Sequence, residues 1–338
     1  MKRTIRDIAE ACGVSVSLVS RIINNDATLK CRPETRDKVM REVERVAFIP
    51  DYNARVLANN TFKMKKNIRI GYVSYKGAVY KMNSYFDKIV EGITTILTEQ
   101  GCQVYQYYVD EVNELYRMKK PLNKDKLDGL IVFGNLDLKL VNYLKTQTKY
   151  ISSIYGDEIE NGDFVGSDLK TTMDVIIDYV KQMGYNEIGF VSGGDANREE
   201  HISKYITDQG MTIKDGYFLQ AQFNYHNAYK VVGEKIKETP PPKVICCMND
   251  EMALGVIDAL LEGGYRVPED VSVTGHDDIA RASYNKVPLT TLRIYKEEIG
   301  RLVTDLLLER ILYKRKFPVK VIVPCALVVR ESLVKNQQ

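Results

Sequence analysis

Two hydrophobic periodicities divide this chain of 338 residues. Through the first 50 residues, apolar side chains recur at intervals of three and four, which places them on one face of a helix. From Ile68 onward, short apolar runs alternate with amphipathic segments, a rhythm typical of parallel strands covered on both faces by helices. The pattern therefore predicts a small helical N-terminal domain followed by a larger α/β body.

The N-terminal domain is predicted to contain three short helices. Thr4 is placed to cap the first, and Gly13 allows the positive φ that ends it. Ser15 is placed to cap the second helix, and a third fits residues 33–48 with Pro33 in its first turn. The apolar stripes of the three helices are Ile5, Ile8, Ala9 and Cys12, then Val19, Ile22 and Ile23, then Val39, Val43 and Val46.

The outer face of the second helix, made of Val16, Ser17, Ser20 and Arg21, is small and partly polar, which suits a DNA major groove. Residues 1–66 hold 14 Lys and Arg against 8 Asp and Glu, whereas the remaining residues hold 34 against 37. A basic head on a slightly acidic body is typical of a protein that binds a polyanion. A solvated basic face would give the same balance, so charge alone leaves both interpretations open.

A short segment between head and body is a candidate hinge. Asn53 could cap a helix over residues 54–58 that is too short to be stable alone. Such a helix would form only on DNA, with Leu57 as an apolar wedge in a minor-groove step. The alternative is a plain linker.

The body is too long for one open sheet, so we expect two subdomains with a cleft between them. Ligands bind such folds beyond the carboxyl ends of the strands. Strands are predicted at 68–75, 102–109, 129–133, 150–155, 187–191, 243–248, 271–275 and 319–323. Helices are predicted near 84–100, 137–147, 170–183, 200–210, 226–238, 251–263 and 296–313.

Polar groups follow several of the predicted strands. Their carboxylate, amide and guanidinium groups suit the vicinal hydroxyls of a sugar, on which an aromatic ring such as Phe223 could stack. Taken singly, each is more often a helix cap or a turn residue. The groups are Gly193-Gly194-Asp195 with Arg198, Asn249-Asp250, and His276-Asp277-Asp278.

Several classes of function find no support in the sequence. It contains no nucleophile elbow, phosphate-binding loop or zinc signature, so we expect no enzymatic activity, cofactor or metal. The six cysteines lack metal-type spacing and are interpreted as core residues in a reducing compartment. With no signal region and no run of 18 apolar residues, we expect a cytoplasmic protein without a membrane partner.

The chain resembles LacI/GalR-type bacterial transcription repressors over essentially its whole length. Thr4–Asn24 is close to the pattern T-x-x-D-I-A-x-x-A-G-V-S-x-x-T-V-S-R-x-x-N, with Cys12 before Gly13 and Leu18 where Thr is usual. Residues 25–29 and 34–36 look most like the galactose- and β-galactoside-responsive branch. Residues 54–58 are similar to the family's hinge helix, and residues 270–273 and 288–291 resemble marks of its effector-binding core.

This resemblance implies an all-α helix-turn-helix head and an α/β periplasmic-binding-protein-like core of two subdomains with parallel sheets. We expect the head at 1–50, the hinge helix and linker at 51–67, and the effector-binding and dimerisation core at 68–338. Within that core, we expect an N-subdomain at about 68–160 and 293–318, and a C-subdomain at about 161–292 and 319–338.

The resemblance also implies residue roles. Positions 16, 17 and 21 would read bases, and Leu57 would be the minor-groove lever. His276 stands where the family often has an aromatic residue or Asn. The expected DNA-binding residues are Thr4, Ser15, Val16, Ser17, Ser20, Arg21, Asn24, Asn53, Arg55, Leu57 and Ala58. The expected effector-binding residues are Arg198, Phe223, Asn249 and Asp277, with Ser74, Tyr75 and Tyr85 along the cleft.

We therefore expect a homodimeric repressor of a carbohydrate-utilisation operon that binds palindromic operator DNA under control of a small sugar, galactose or a galactoside. A dimer follows because one three-helix head reads few base pairs, whereas two read a palindrome. One rival is a periplasmic-type sugar-binding protein, disfavoured by the basic head and the lack of a signal region. The other is a sugar-converting enzyme, disfavoured by the lack of a catalytic constellation.

Overall fold

The computed structural model describes residues 5–23, 29, 31–45, 67–74, 84–134, 136–155 and 159–336. The chain divides into two compact units, Met1–Lys65 and Lys66–Gln338. At a few helix ends only the backbone is described, and the side chains outside the description are those of Ile5, Arg6, Ser20, Ile23, Glu44, Arg45 and Ser84.

The first unit contains the three expected helices, α1 (Ile5–Cys12), α2 (Val16–Ile23) and α3 (Pro33–Arg45). Gly13 has a φ of +64° between α1 and α2, as the tight turn requires. The predicted stripes meet in one apolar core, which confirms the helical periodicity. The described buried members of this core are Ile8, Ala9, Cys12, Val19, Ile22 and Val39.

The described part of the second unit contains twelve strands and nine helices. The strands are β1 (Arg69–Ser74), β2 (Gln103–Tyr108), β3 (Gly129–Phe133), β4 (Ile151–Ile154), β5 (Asp163–Gly166), β6 (Glu187–Ser192), β7 (Thr212–Gln220), β8 (Val244–Cys247), β9 (Ser272–Thr274), β10 (Thr291–Arg293), β11 (Lys320–Ile322) and β12 (Ala326–Val328). The helices are α4 (Ser84–Glu99), α5 (Val109–Arg117), α6 (Leu138–Gln147), α7 (Thr172–Gln182), α8 (Ala196–Asp208), α9 (Tyr225–Glu238), α10 (Asp250–Glu262), α11 (Ala280–Tyr284) and α12 (Lys296–Tyr313).

Two parallel sheets organise this unit. The first has the strand order β11-β5-β4-β3-β1-β2, and the second has the order β7-β6-β8-β9. A short antiparallel pair, β10 with β12, accompanies them. β3 and β8 are buried along their whole length, which is why their sequences are continuous apolar runs.

On the first sheet, α4 and α12 pack directly against each other, and α12 also covers β3, β4 and β5. Their backbones touch at two glycines. A Cβ atom on Gly92 would lie 2.1 Å from the carbonyl oxygen of Glu297, and one on Gly300 would lie 2.1 Å from that of Ile89. No larger residue fits either position without separating the two helices.

The sheet topology shows where the chain passes between the two sheets. β5 pairs with β4, and β11 pairs with β5, so both strands belong to the first sheet. The chain therefore leaves the first sheet after Gly166, and again after Ile322. Between these points it returns from β10 to α12 through residues 294 and 295.

Candidate functional site

The first candidate surface is the outer face of α2. Val19 and Ile22 are buried on its inner face, whereas Ser17 and Arg21 are exposed and Val16 keeps 41% of its surface accessible. The Ser15 hydroxyl accepts a hydrogen bond from the Leu18 amide at 3.2 Å, so Ser15 caps the helix. The result is a stable helix with a small exposed face and one guanidinium, a shape that fits a major groove.

Several expected residues lie outside the described part of the chain, and their roles remain predictions. This applies to two residues of the head, to the four expected DNA-binding residues of the hinge and to one residue expected along the cleft. They are Thr4, Asn24, Asn53, Arg55, Leu57, Ala58 and Tyr75, together with the side chain of Ser20.

The second candidate surface centres on Arg198, in the first turn of α8. Asp195 caps this helix by accepting the Arg198 amide at 3.3 Å. Burial lowers the pKa of the Arg198 guanidinium, while the charges of Asp277 and Asp195 raise it. Its Nε and Nη2 atoms are buried without a hydrogen-bond partner among the described residues. Because such donors are costly to leave unsatisfied, they mark a place where a polar ligand would be stabilising.

Asp277 follows β9 and is held in an unusual backbone conformation. Its φ is +118°, a region that non-glycine residues rarely adopt. Its amide donates to the Leu292 carbonyl at 2.8 Å, and its own carbonyl accepts from the Lys296 ammonium group. Its carboxylate lies 2.7 Å from Nδ1 of His276 and remains 13% exposed. The surrounding contacts therefore fix the residue but leave part of its carboxylate open.

Tyr85, at the start of α4, lies near the same charges. Burial raises its pKa well above the ordinary value for a phenol, and Tyr155 and Asp277 raise it further. Its ring centroid is 6.0 Å from that of Tyr155 and 5.6 Å from the Lys296 ammonium nitrogen. Tyr85 therefore belongs to the same cluster as Arg198 and Asp277, although it comes from the helix that covers the first sheet.

Two further polar groups belong beside this cluster and were missed by the sequence analysis. The Tyr155 hydroxyl and the Ser167 hydroxyl are buried, and although burial raises the pKa of Tyr155, hydrogen bonding with Tyr85 and with Ser167 lowers it. Tyr155 directly follows β4, and Ser167 directly follows β5. The sequence feature that could have identified them is the one used for Arg198, a polar residue that follows a strand. For Ser167 this feature was hidden, because β5 itself had not been predicted. Ser74 ends β1 and is buried, yet no described contact joins it to Arg198 or Asp277.

Asn249 and Phe223 form a separate contact on the second sheet. The Asn249 side chain caps α10 by accepting from the Met252 amide at 2.9 Å, and its amide donates to the Phe223 carbonyl at 3.5 Å. The helix-cap interpretation of Asn249 is therefore confirmed. Phe223 has a φ of +54°, and its ring covers Gly193, where a Cβ atom would lie 2.2 Å from the ring. The asparagine thus fixes the backbone that presents the aromatic ring.

Asp250 supports the loop that carries Asp277. It is completely buried, and its carboxylate accepts from the Thr291 hydroxyl at 2.5 Å and from the Ile279 amide at 2.8 Å. Burial raises its pKa well above the ordinary value, and Asp277 adds to the rise. Both oxygens are therefore engaged within the protein, and Asp250 acts as a structural residue.

The cluster can bind a polar molecule, since it offers donors, an acceptor and aromatic surface in a buried setting. Among the described residues, no group of three His, Cys, Asp or Glu side chains could hold a metal ion. None of the helices within those residues combines the length and the hydrophobicity that a membrane span requires.

Comparisons with known proteins agree with this two-part organisation. Residues 4–51 match the model for bacterial regulatory proteins of the lacI family, and residues 177–333 match a periplasmic binding protein-like domain. The chain is 27% identical to the transcriptional repressor MelR of Bacillus subtilis over 97% of this chain and 96% of that protein. It is 29% identical to the repressor PurR of Haemophilus influenzae over 92% of each.

Solved structures show the same fold over the whole chain. A complex of the transcriptional regulator CelR with cellobiose superposes with a TM-score of 0.68 at 22% identity, covering 98% of this chain and 99% of that one. A lac repressor dimer bound to operator and the anti-inducer ONPF superposes with a TM-score of 0.65 at 21% identity, covering 99% and 100%.

These relatives do not establish the galactose-responsive branch that the sequence suggested. They are repressors, and neither family model that matches the chain describes an enzyme. A head that matches the lacI-family model is thus joined to a periplasmic-binding-protein-like core of parallel sheets, and over nearly its whole length the chain is similar to LacI-type transcriptional repressors.

Proposed function

We propose that this protein is a homodimeric, cytoplasmic repressor that binds operator DNA through α2 and is controlled by a small neutral sugar. The observation that carries the effector part is the buried Arg198 guanidinium, with Nε and Nη2 lacking a partner among the described residues. Two donors on one planar group match two neighbouring hydroxyls, and a sugar presents such pairs around its ring.

The charges around the cluster favour a neutral ligand over an ion. Arg198 brings one positive charge and Asp277 one negative charge, and the Asp277 carboxylate raises the pKa of the Arg198 guanidinium. The Lys296 ammonium group is engaged by the carbonyls of Asp277 and Asp278. An anion would be repelled by the Asp277 carboxylate and a cation by Arg198, whereas hydroxyl groups can donate to one and accept from the other.

Galactose or a galactoside is the first candidate within this class. The support is the resemblance of residues 25–29 and 34–36 to the galactoside-responsive branch. Structural relatives with this fold hold sugars, since one is a complex with cellobiose and another, with a TM-score of 0.67, contains bound ribose. The proposed first contacts are Arg198 and Asp277, with Tyr85, Tyr155 and Ser167 facing the same ligand.

The proposed mechanism is a shift between two closure angles of the sheets. Arg198 and Asp277 lie on segments connected to the second sheet, whereas Tyr85, Tyr155 and Ser167 lie on segments connected to the first. A ligand that touches both groups would therefore favour one arrangement of the two sheets. In a dimer on a palindrome, that arrangement would decide whether both heads and their hinge segments fit the DNA together. A coupling of about 1–3 kcal/mol would be enough for regulation.

The direct test is a gel-shift assay with the full chain and the DNA upstream of its neighbouring genes, with galactose, lactose, cellobiose and ribose added separately. The proposal expects a dimer on DNA whose affinity changes with at least one sugar. Sugar binding without DNA binding would favour the sugar-binding-protein alternative. DNA binding that ignores every sugar in the panel would contradict the proposed effector class.

A further inference from the structure

We propose that His276 is a positioning residue that orients the Asp277 carboxylate and connects it to Thr172. The effect of a ligand bound to Asp277 is then transmitted through His276 to residues 167–172, where the chain first passes from one sheet to the other. This inference rests on the proposed function, because it assigns the route by which the bound sugar would act. It concerns a residue that no ligand needs to touch.

His276 uses both of its ring nitrogens. The side chain is 1% exposed, with Nδ1 at 2.7 Å from the Asp277 carboxylate and Nε2 at 2.9 Å from the Thr172 hydroxyl. Because a carboxylate only accepts hydrogen bonds, Nδ1 carries the proton toward Asp277. In the neutral ring, Nε2 then accepts from the threonine hydroxyl at 2.9 Å, a shorter contact than the 3.4 Å from that hydroxyl to the Leu169 carbonyl. One buried imidazole therefore connects two residues that are 105 positions apart in sequence.

Thr172 stands where the chain enters the second sheet's layer. It is the first residue of α7, directly after the connection of residues 167–171 that leaves β5. It is buried, and its amide donates to the Asp168 carbonyl at 3.0 Å. α7 packs against α8, the helix that begins near Arg198, and against β10. A displacement of Thr172 would therefore shift both the connection of residues 167–171 and α8, which carries the candidate ligand contact Arg198.

A second tie reaches Asp277 from another connection. Lys296 is the first residue of α12, just after residues 294 and 295 bring the chain back to the first sheet. Its ammonium group donates to the backbone carbonyls of Asp277 and Asp278. The Asp277 backbone is thus tied to one connection by Lys296, and its carboxylate is tied to another by His276.

The left-handed backbone of Asp277 explains why these ties matter. A residue held in a sparsely populated conformation keeps it only while its surroundings over-determine it. A ligand that hydrogen-bonds the carboxylate competes with, or reinforces, the His276 contact. Because the His276 imidazole is rigid, either change displaces Thr172, whereas a flexible side chain could adjust without moving it.

The test separates sugar binding from the response to sugar. The variants are Thr172→Val, which keeps the shape but removes the hydroxyl, and His276→Asn, whose amide can still donate to Asp277 but does not reach Thr172. Thr304→Val is the matched control, because Thr304 is completely buried and its hydroxyl donates only to the Gly300 carbonyl of its own helix. Each full-length variant is titrated with galactose, lactose, cellobiose and ribose, and operator affinity is measured with and without each sugar.

For Thr172→Val, we expect sugar affinity within about threefold of wild type, unchanged operator affinity without sugar, and a sugar-induced change reduced at least about fivefold. His276→Asn should lose the response to the same degree, and the double variant should be no worse than either single one, since all three break one route. His276→Leu should in addition weaken sugar binding about tenfold, and His276→Asn should recover most of that loss. Thr304→Val should respond like wild type.

A full response in Thr172→Val, or additive losses in the double variant, would overturn the inference. If Thr172→Val does not fold, as judged by its thermal transition, His276→Asn beside His276→Leu decides the question alone, and equal sugar affinity in those two would overturn it. A wild-type protein that binds no sugar of the panel overturns the proposed function, and this inference with it. If the wild-type protein responds to sugar and both Thr172→Val and His276→Asn respond like it, only this inference is overturned.

Discussion

The proposed recognition surfaces of the head and of the core are built in opposite ways. On α2 the proposed face is exposed, and the helix beneath it packs on an apolar core and has a capped first turn. In the core, the candidate site leaves buried donors without partners among the described residues, as at Arg198. The apolar core of the head leaves no polar group for a ligand to satisfy, whereas the cluster around Arg198 holds buried donors that a ligand would satisfy.

The comparison predicts the largest effect for Arg198→Met. We expect sugar affinity to fall by about 100-fold or more, because a charged donor pair is lost, while the free energy of unfolding of the protein does not fall. Calorimetric titration with the responding sugar and a thermal transition check both. Arg266→Met is the control, since that guanidinium is exposed and paired with Asp270. A strongly destabilised Arg198→Met with normal sugar binding would show that the guanidinium is structural.

Asp277→Ala tests the acceptor of the same site. We expect sugar affinity to fall about 30-fold, and the response of operator binding to sugar to disappear, because one charged hydrogen-bond acceptor is lost. Operator affinity without sugar should stay within twofold of wild type, roughly, since the residue lies in the core. Asp215→Ala, an exposed acidic position on β7, is the control. A normally inducible Asp277→Ala protein would place the pocket elsewhere.

On the head, Arg21→Ala should cost about 1–3 kcal/mol in binding to operator and less in binding to random DNA, because a base-reading guanidinium acts only on its own sequence. Competition gel shifts at one fixed salt concentration measure both. Arg41→Ala on α3, also exposed, should affect both DNAs equally if it touches phosphates. Equal losses for Arg21→Ala on both DNAs would exclude base readout by this residue.

The smallest expected effect belongs to Ser15→Ala. Removing the cap hydroxyl leaves the Leu18 amide without its side-chain acceptor, so α2 should lose about 1 kcal/mol of stability. Hydrogen exchange of the α2 amides in the full chain measures this loss, with Ser17→Ala as the control at the next serine. Unchanged exchange in Ser15→Ala would show that the cap contributes nothing to the helix.

The two regions also differ in how far the sequence predicts them. In the described part of the head, the buried stripe, the Gly13 turn and the Ser15 cap agree with the prediction, because they lie within about 20 consecutive positions and follow the helical period. In the core, β5 was missed because Asp163 breaks its apolar pattern. That carboxylate is buried, and it accepts from the Arg315 guanidinium at 2.9 and 3.0 Å and from the Val319 amide at 2.7 Å.

The candidate site depends on such distant contacts even more. Arg198 and Asp277 were predicted as candidates because polar residues after strands converge at one edge of a sheet. Tyr155 and Ser167 were not found, since a phenol looks like part of its strand and the strand before Ser167 was unrecognised. The role of His276 depends on a partner 104 positions away, and no local pattern records that pairing.

The glycine contact between α4 and α12 gives these helices a shared mechanical property. Tyr85 stands at the head of one helix and Lys296 at the head of the other, and the backbones touch at Gly92 and Gly300 with no side chain between them. In most helix pairs, side chains lie between the two backbones and allow small sliding movements. Two backbones in direct contact have almost no such freedom. The two helices therefore move as one rigid unit, which keeps the Tyr85 ring and the Lys296 ammonium nitrogen at their separation of 5.6 Å.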